Sequence, residues 1–140
     1  MKTTRILILE DDLKTLSVIT DGLFELEESL FDQRVNFAVT VFSEYSEVEN
    51  YLNLIQEPNF DIILLDRDCK LAGSFHAINV VKFGADKFIS ISTQPEYNEA
   101  AKKMGVTRSV RKDYKRLDDF SSLLMKEISQ IIFSGDKKSS

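Results

Sequence analysis

The chain has 140 residues, with 18 Lys plus Arg against 23 Asp plus Glu and a net charge of −5. This length suits one domain with a sizeable core. The acidic balance and the lack of a Lys/Arg-rich arm argue against generic nucleic-acid binding, which needs a basic face, and the single cysteine, Cys69, excludes a disulfide framework and points to a reducing compartment.

Met1 to Arg5 is polar and lacks the regions of a signal peptide. No apolar run approaches a membrane-spanning length, so a cytoplasmic protein with no nucleic-acid or membrane partner is expected. Ile6 to Leu9 reads as a strand. Leu13, Leu16, Ile19, Leu23, Leu26 and Leu30 then recur at helical spacing, with Asp12 placed as the cap. Val35 to Phe42 is a second strand, rich in β-branched and aromatic residues. Val48, Tyr51, Leu52 and Ile55 give a second helix, capped by Ser43 and ended by Pro58 and Asn59.

Phe60 to Leu65 is the third strand, and within it Ile62 to Leu65 is an unbroken apolar run, the mark of a strand covered on both faces. A loop with Gly73 follows, then a short helix from Phe75 to Lys82 closed by Gly84. Phe88 to Ser92 is the fourth strand. Thr93-Gln94-Pro95-Glu96 has the form of a capping box with proline in the first turn. Tyr97, Ala100, Ala101 and Met104 line the helix, and Gly105 stops it. Val106 to Arg111 is a weaker fifth strand, and Phe120, Leu123, Leu124, Ile128 and Ile131 mark the last helix. The domain is expected over residues 1–133, with 134–140 a short flexible tail. Five βα units imply a doubly wound parallel sheet with helices on both faces. Ligands in such sheets bind beyond the carboxyl ends of the strands.

Those ends carry a pattern. The first strand ends at Glu10-Asp11-Asp12, the third at Asp66, the fourth at Ser92-Thr93 and the fifth at Lys112-Asp113. Clustered acids repel unless a cation sits among them, and oxygen-only ligands suit Mg²⁺. One carboxylate can serve as nucleophile and become an aspartyl phosphate. A lysine and a hydroxyl can hold the phosphoryl oxygens.

Capping and solvation are the plain alternatives for each residue. Asp66 could end its strand in solvent, Lys112 could be a surface lysine, and Thr93 competes with Ser92 for the hydroxyl role. Asp12 suffices to cap the first helix, which leaves Glu10 and Asp11 unexplained. Asp68 could aim at the site or at solvent. His76 has no second His or Cys at metal spacing and reads as a surface residue; Cys69 reads as a packed thiol.

From "RILILEDD" through "DIILLDRD" and "ISIST" to "MGVTRSVRKD", nearly the whole chain resembles the receiver domain of two-component response regulators. The resemblance implies a flavodoxin-like α/β fold of five parallel strands in the order 2-1-3-4-5. Position by position, Glu10 and Asp11 resemble the acidic pair, with Asp11 the direct metal ligand. Asp66 resembles the phosphoacceptor and also a metal ligand. Asp68 matches the position whose backbone carbonyl meets the metal, Ser92 the hydroxyl and Lys112 the lysine. The seven-residue step from Gly105 to Lys112 fits the family spacing. A stand-alone receiver is implied: a histidine kinase or phosphotransfer protein donates a phosphoryl group to Asp66 with Mg²⁺, slow hydrolysis follows, and a downstream protein is contacted.

The chain departs from the family in three places. The stretch from Asp66 to Ser92 is shorter than usual, Asp113 follows Lys112 where the family has a cis proline, and Ser109 stands where the family has an aromatic switch residue. Two other functions stay open. "DRD" also resembles the Asp-x-Asp motif of haloacid-dehalogenase-like phosphatases, with Asp66 as nucleophile and Asp68 as general acid/base. That motif normally lies on the first strand, and Lys70 is unusual for it. A pseudo-receiver would keep the fold as a binding module without phosphorylation.

Overall fold

All five strands form, and all pair in parallel in one sheet of order β2-β1-β3-β4-β5. They are β1 (Lys2–Leu9), β2 (Val35–Phe42), β3 (Ile62–Asp66), β4 (Phe88–Ser92) and β5 (Arg108–Arg111). The computed structural model describes residues 1–55, 59–68, 78 and 80–138, with side chains left out at 81 and 135–138. Pro58, Cys69, Lys70, Gly73, Phe75 and His76 lie outside the described residues.

Alternation along the central strands divides the core. Ile6, Ile8, Ile62, Leu64, Ile89 and Ile91 face one side, against Ile19 and Leu23 of α1 (Leu13–Ser29) and Phe120, Leu124 and Ile128 of α5 (Leu117–Lys138). Leu7, Leu9, Ile63, Leu65 and Phe88 face the other. There they meet Val48 and Leu52 of α2 (Tyr45–Leu54), Val80 and Phe83 of α3 (Val80–Phe83) and Ala101 of α4 (Pro95–Lys103). β3 is buried on both faces, which is why Ile62 to Leu65 reads as a continuous apolar run. Burial of a Leu- or Ile-sized side chain contributes about 1.5–3 kcal/mol, so these two layers hold the strand ends in register.

Gly22 of α1 leaves room for side chains of α5. A Cβ there would sit 2.8 Å from Ser121 Oγ and 3.0 Å from Met125 Cε. Gly105, at φ +104°, ends α4 in the left-handed conformation. There the Val106 N–H reaches back to the Ala101 carbonyl at 3.1 Å.

Several boundaries differ from expectation. β1 begins at Lys2 rather than Ile6, because residues 2–5 pair with Val35 to Ala38; hydrogen bonding to a neighbour, not burial, extends it. Ser43 does not cap α2: Glu44 holds that position, without a side-chain bond. Thr93 does not close a capping box either, because α4 starts at Pro95 with Gln94 as its cap residue. α5 begins three residues before Phe120 and continues to Lys138, into the stretch read as a tail. Among the described residues no peptide bond is cis, so Lys112–Asp113 is trans. None of the described helices is long and apolar enough to cross a membrane.

Candidate functional site

The ladder continues past the strand ends and carries the polar residues with it. Glu10 N–H donates to the Phe42 carbonyl (3.1 Å), Arg67 N–H to that of Ile91 (2.8 Å) and Lys112 N–H to that of Ser92 (2.8 Å). Leu9 is in register with Leu65, Asp66 with Ile91, and Ser92 with Arg111. Glu10, Asp66, Ser92 and Lys112 therefore share the carboxyl edge of the sheet, each fixed by backbone bonds to a neighbouring strand.

All four are buried, at 2% exposure or less. Lys112 Nζ lies 3.2 Å from Glu10 Oε1 and 3.3 Å from Asp66 Oδ1. A buried ammonium needs such partners. Glu10, Asp11 and Asp66 each offer a carboxylate oxygen, and these oxygens lie within 4.8 Å of one another. Three oxygens from the ends of two adjacent strands, with a lysine behind them, could hold a metal ion. Asp12 caps α1, accepting from the Thr15 N–H at 3.0 Å, and so leaves Glu10 and Asp11 to the cluster.

Electrostatics follow from burial. Glu10 is pushed up to about 8, first by burial, then by its hydrogen bond to Asp66 and the repulsion of that carboxylate. Burial also raises Asp66, opposed by its bond to Glu10 and by Lys112. Without a cation the two acids therefore favour sharing one proton. Burial alone would lower Lys112, but Asp66 and Glu10 outweigh it and hold the ammonium charged.

Asp68 turns its side chain into the site. Its Oδ1 accepts from Ser92 Oγ at 2.7 Å, its Oδ2 accepts from the Thr93 N–H, and Lys112 Nζ is 4.0 Å from Oδ2. Its own N–H donates to Asp66 Oδ1 at 2.9 Å. Ser92 Oγ in turn accepts from the Gln94 N–H at 2.9 Å. Ser92, not Thr93, is the sealed hydroxyl.

Two neighbours were not singled out from sequence. The Tyr114 ring lies 5.2 Å from Lys112 Nζ, and the buried Arg67 guanidinium lies 5.8 Å from the Tyr97 ring centre. Their only trace in sequence is an aromatic two residues after the strand-end lysine and a cation directly after Asp66. Ser109 is exposed, in register with Ser90.

No family model matches the sequence, and no curated protein is similar to it. Solved structures are. The chain matches a receiver domain from Rhodospirillum rubrum with a TM-score of 0.65 at 17% identity, covering 94% of each chain. It matches a bacteriophytochrome response regulator with a TM-score of 0.62 at 17% identity, again over 94% of each chain. It also matches an orphan response regulator of H. pylori, with a TM-score of 0.57 at 16% identity, over 89% of this chain and 95% of that one. The chain has the fold of response regulator receiver domains.

Proposed function

We propose that the protein is a receiver domain that accepts a phosphoryl group on Asp66 from a histidine kinase or phosphotransfer protein in the cytoplasm. The observation that carries this reading is the sealed Asp66 carboxylate, 3.3 Å from a buried lysine and beside two further acids able to hold a cation.

Glu10, Asp11, Asp66 and the Asp68 backbone carbonyl would hold Mg²⁺, whose preference for carboxylate, carbonyl and water oxygens suits this set. When bound, the ion supplies positive charge that offsets the acids and the developing charge on the phosphoryl oxygens. The proton shared by Glu10 and Asp66 would have to leave before both could serve as ligands. An Asp66 oxygen then attacks phosphorus. The bond from phosphorus to the donor nitrogen breaks, and its electron pair leaves with the donor imidazole. The Lys112 ammonium, held charged by the same acids, and the Ser92 hydroxyl would face the phosphoryl oxygens. Slow hydrolysis resets the site, and output passes by contact to another protein.

The phosphatase alternative needs Asp68 to face a leaving group. Its carboxylate instead accepts from Ser92 Oγ and the Thr93 N–H, which disfavours that role. Acetyl phosphate with Mg²⁺ tests the proposal. Intact mass should show one added phosphoryl group in the unmodified chain and none in Asp66→Asn, whose amide is nearly isosteric but forms no acyl phosphate. Labelling of Asp66→Asn would move the nucleophile elsewhere. Absence of labelling throughout would leave a pseudo-receiver.

A further inference from the structure

Asp68 takes donors that a phosphoryl group on Asp66 would need. A hydroxyl and a backbone amide each have one proton to give. Those of Ser92 and Thr93 are both directed to Asp68, one to each carboxylate oxygen. Lys112 Nζ, the third donor, is 4.0 Å from Asp68 Oδ2 while 3.3 Å from Asp66 Oδ1. The Asp68 N–H is itself bonded to Asp66 Oδ1, so the two carboxylates are neighbours across one short loop.

On the reading of Asp66 as phosphoacceptor, we propose that the Asp68 carboxylate is an internal occupant of the phosphoryl-oxygen site, a positioning residue that must release Ser92 and Thr93 before the phosphoryl group is held. A phosphoryl group brings a charge of about −1.5 to −2 and three strong acceptor oxygens. Left in place, the Asp68 carboxylate would repel that charge while keeping the two protons that would neutralise it. The Asp68 side chain is 12% exposed, whereas those of Lys112 and Asp66 are at 0% and 1%. Of these three it is the one with a path to water.

Release also reaches α4. Gln94, the cap residue of that helix, makes no side-chain cap bond. The amides at its entry are held instead by Asp68, directly at Thr93 and through Ser92 Oγ at Gln94. Asp68 thus caps the entry to α4 from the neighbouring loop, and a phosphoryl group would take over those bonds or free them.

The experiment compares the unmodified chain, Asp68→Ala, Asp68→Asn and Asp66→Asn. Each is titrated with beryllofluoride plus Mg²⁺ by amide NMR and labelled with acetyl phosphate. Charged hydrogen bonds of this kind, once removed as competitors, shift binding by about tenfold or more. Asp68→Ala should therefore bind beryllofluoride about tenfold more tightly than the unmodified chain and label faster. Asp68→Asn, which keeps an acceptor oxygen but no charge, should fall between. In the free proteins the Thr93 and Gln94 amides of Asp68→Ala should already be displaced. Equal or weaker binding by both Asp68 variants, with the unmodified chain still labelled, overturns the inference and leaves the receiver reading standing. If none of the proteins takes up either probe, the receiver reading fails and this inference with it.

Discussion

Lys112 Nζ stands 3.3 Å from Asp66 Oδ1, with both side chains sealed from water. The same ammonium is 3.2 Å from Glu10 Oε1, so one cation serves two buried acids. Removing it takes away the ammonium that the two buried acids share. Breaking a buried ion pair from one side costs about 3–5 kcal/mol. Lys112→Met should therefore lower stability by that order at pH 8 in urea unfolding. A loss below about 1 kcal/mol at pH 8 would show that the cation is not what balances the cluster.

The cation-free protein should become more stable as pH falls from 8 toward 5. Glu10 is at about 8 in the folded chain against 4.5 as its ordinary value. Between those values the folded state holds a proton that the unfolded state has lost, so stability falls as pH rises through the window. Asp66, also raised, acts in the same direction. Lys112 is charged in both states across this range and adds no slope. One shared proton gives a slope of about 1.4 kcal/mol per pH unit at most. Urea unfolding in EDTA should show the slope, Glu10→Gln should flatten it, and Mg²⁺ should oppose it by favouring the ionised acids. An equal slope in Glu10→Gln would assign it to another group.

Asp11 is half-buried and completes the acidic cluster. Loss of outer partners around a metal already weakens binding by about 10–100-fold, so Asp11→Ala should weaken Mg²⁺ binding at least that much and slow phosphorylation with it. Because it removes one of several repelling carboxylates, the same change should leave the cation-free fold as stable as before, or slightly more so. Calorimetric titration with Mg²⁺ and urea unfolding in EDTA read the two effects separately. An unchanged Mg²⁺ affinity would remove Asp11 from the ligand set.

What could be read from sequence, and what could not, follows from where each signal resides. The doubly buried strands declare themselves, because Ile62 to Leu65 must be apolar on both faces. Their ends fall at the site because Glu10, Asp66, Ser92 and Lys112 directly follow or close those runs. Ends fixed by hydrogen bonds rather than burial are invisible to the hydrophobic pattern. Lys2 to Arg5 are in β1 only because β2 pairs with them. The entry to α4 at Thr93 departs from expectation for a related reason: a side chain 25 residues away, Asp68, binds the Thr93 amide. No local window contains that bond. Asp68 itself was legible as a position, but its direction was not, since a loop residue has no periodicity to fix where its side chain points.

On the proposed reading, the route from the site to a partner is set by Ser92 and Ser109. Ser92 is fully buried and linked through its hydroxyl to Asp68 and to the Gln94 amide, at the entry to α4. Ser109 lies exposed on β5 and is too small to fill or empty a pocket by changing rotamer. A two-state element is still required if phosphorylation is to bias a partner, and the turn from Ser92 to Gln94 with α4 behind it is the element the site touches. Tyr97 extends it, because its ring lies over the Arg67 guanidinium, one residue from Asp66. Beryllofluoride should therefore perturb amides from Ser92 through Tyr97 strongly. Ser109→Ala should leave that response nearly intact, whereas Ser92→Ala should blunt it. Amide NMR titrations of the three proteins decide the matter. A response lost in Ser109→Ala but kept in Ser92→Ala would place the route along β5 instead.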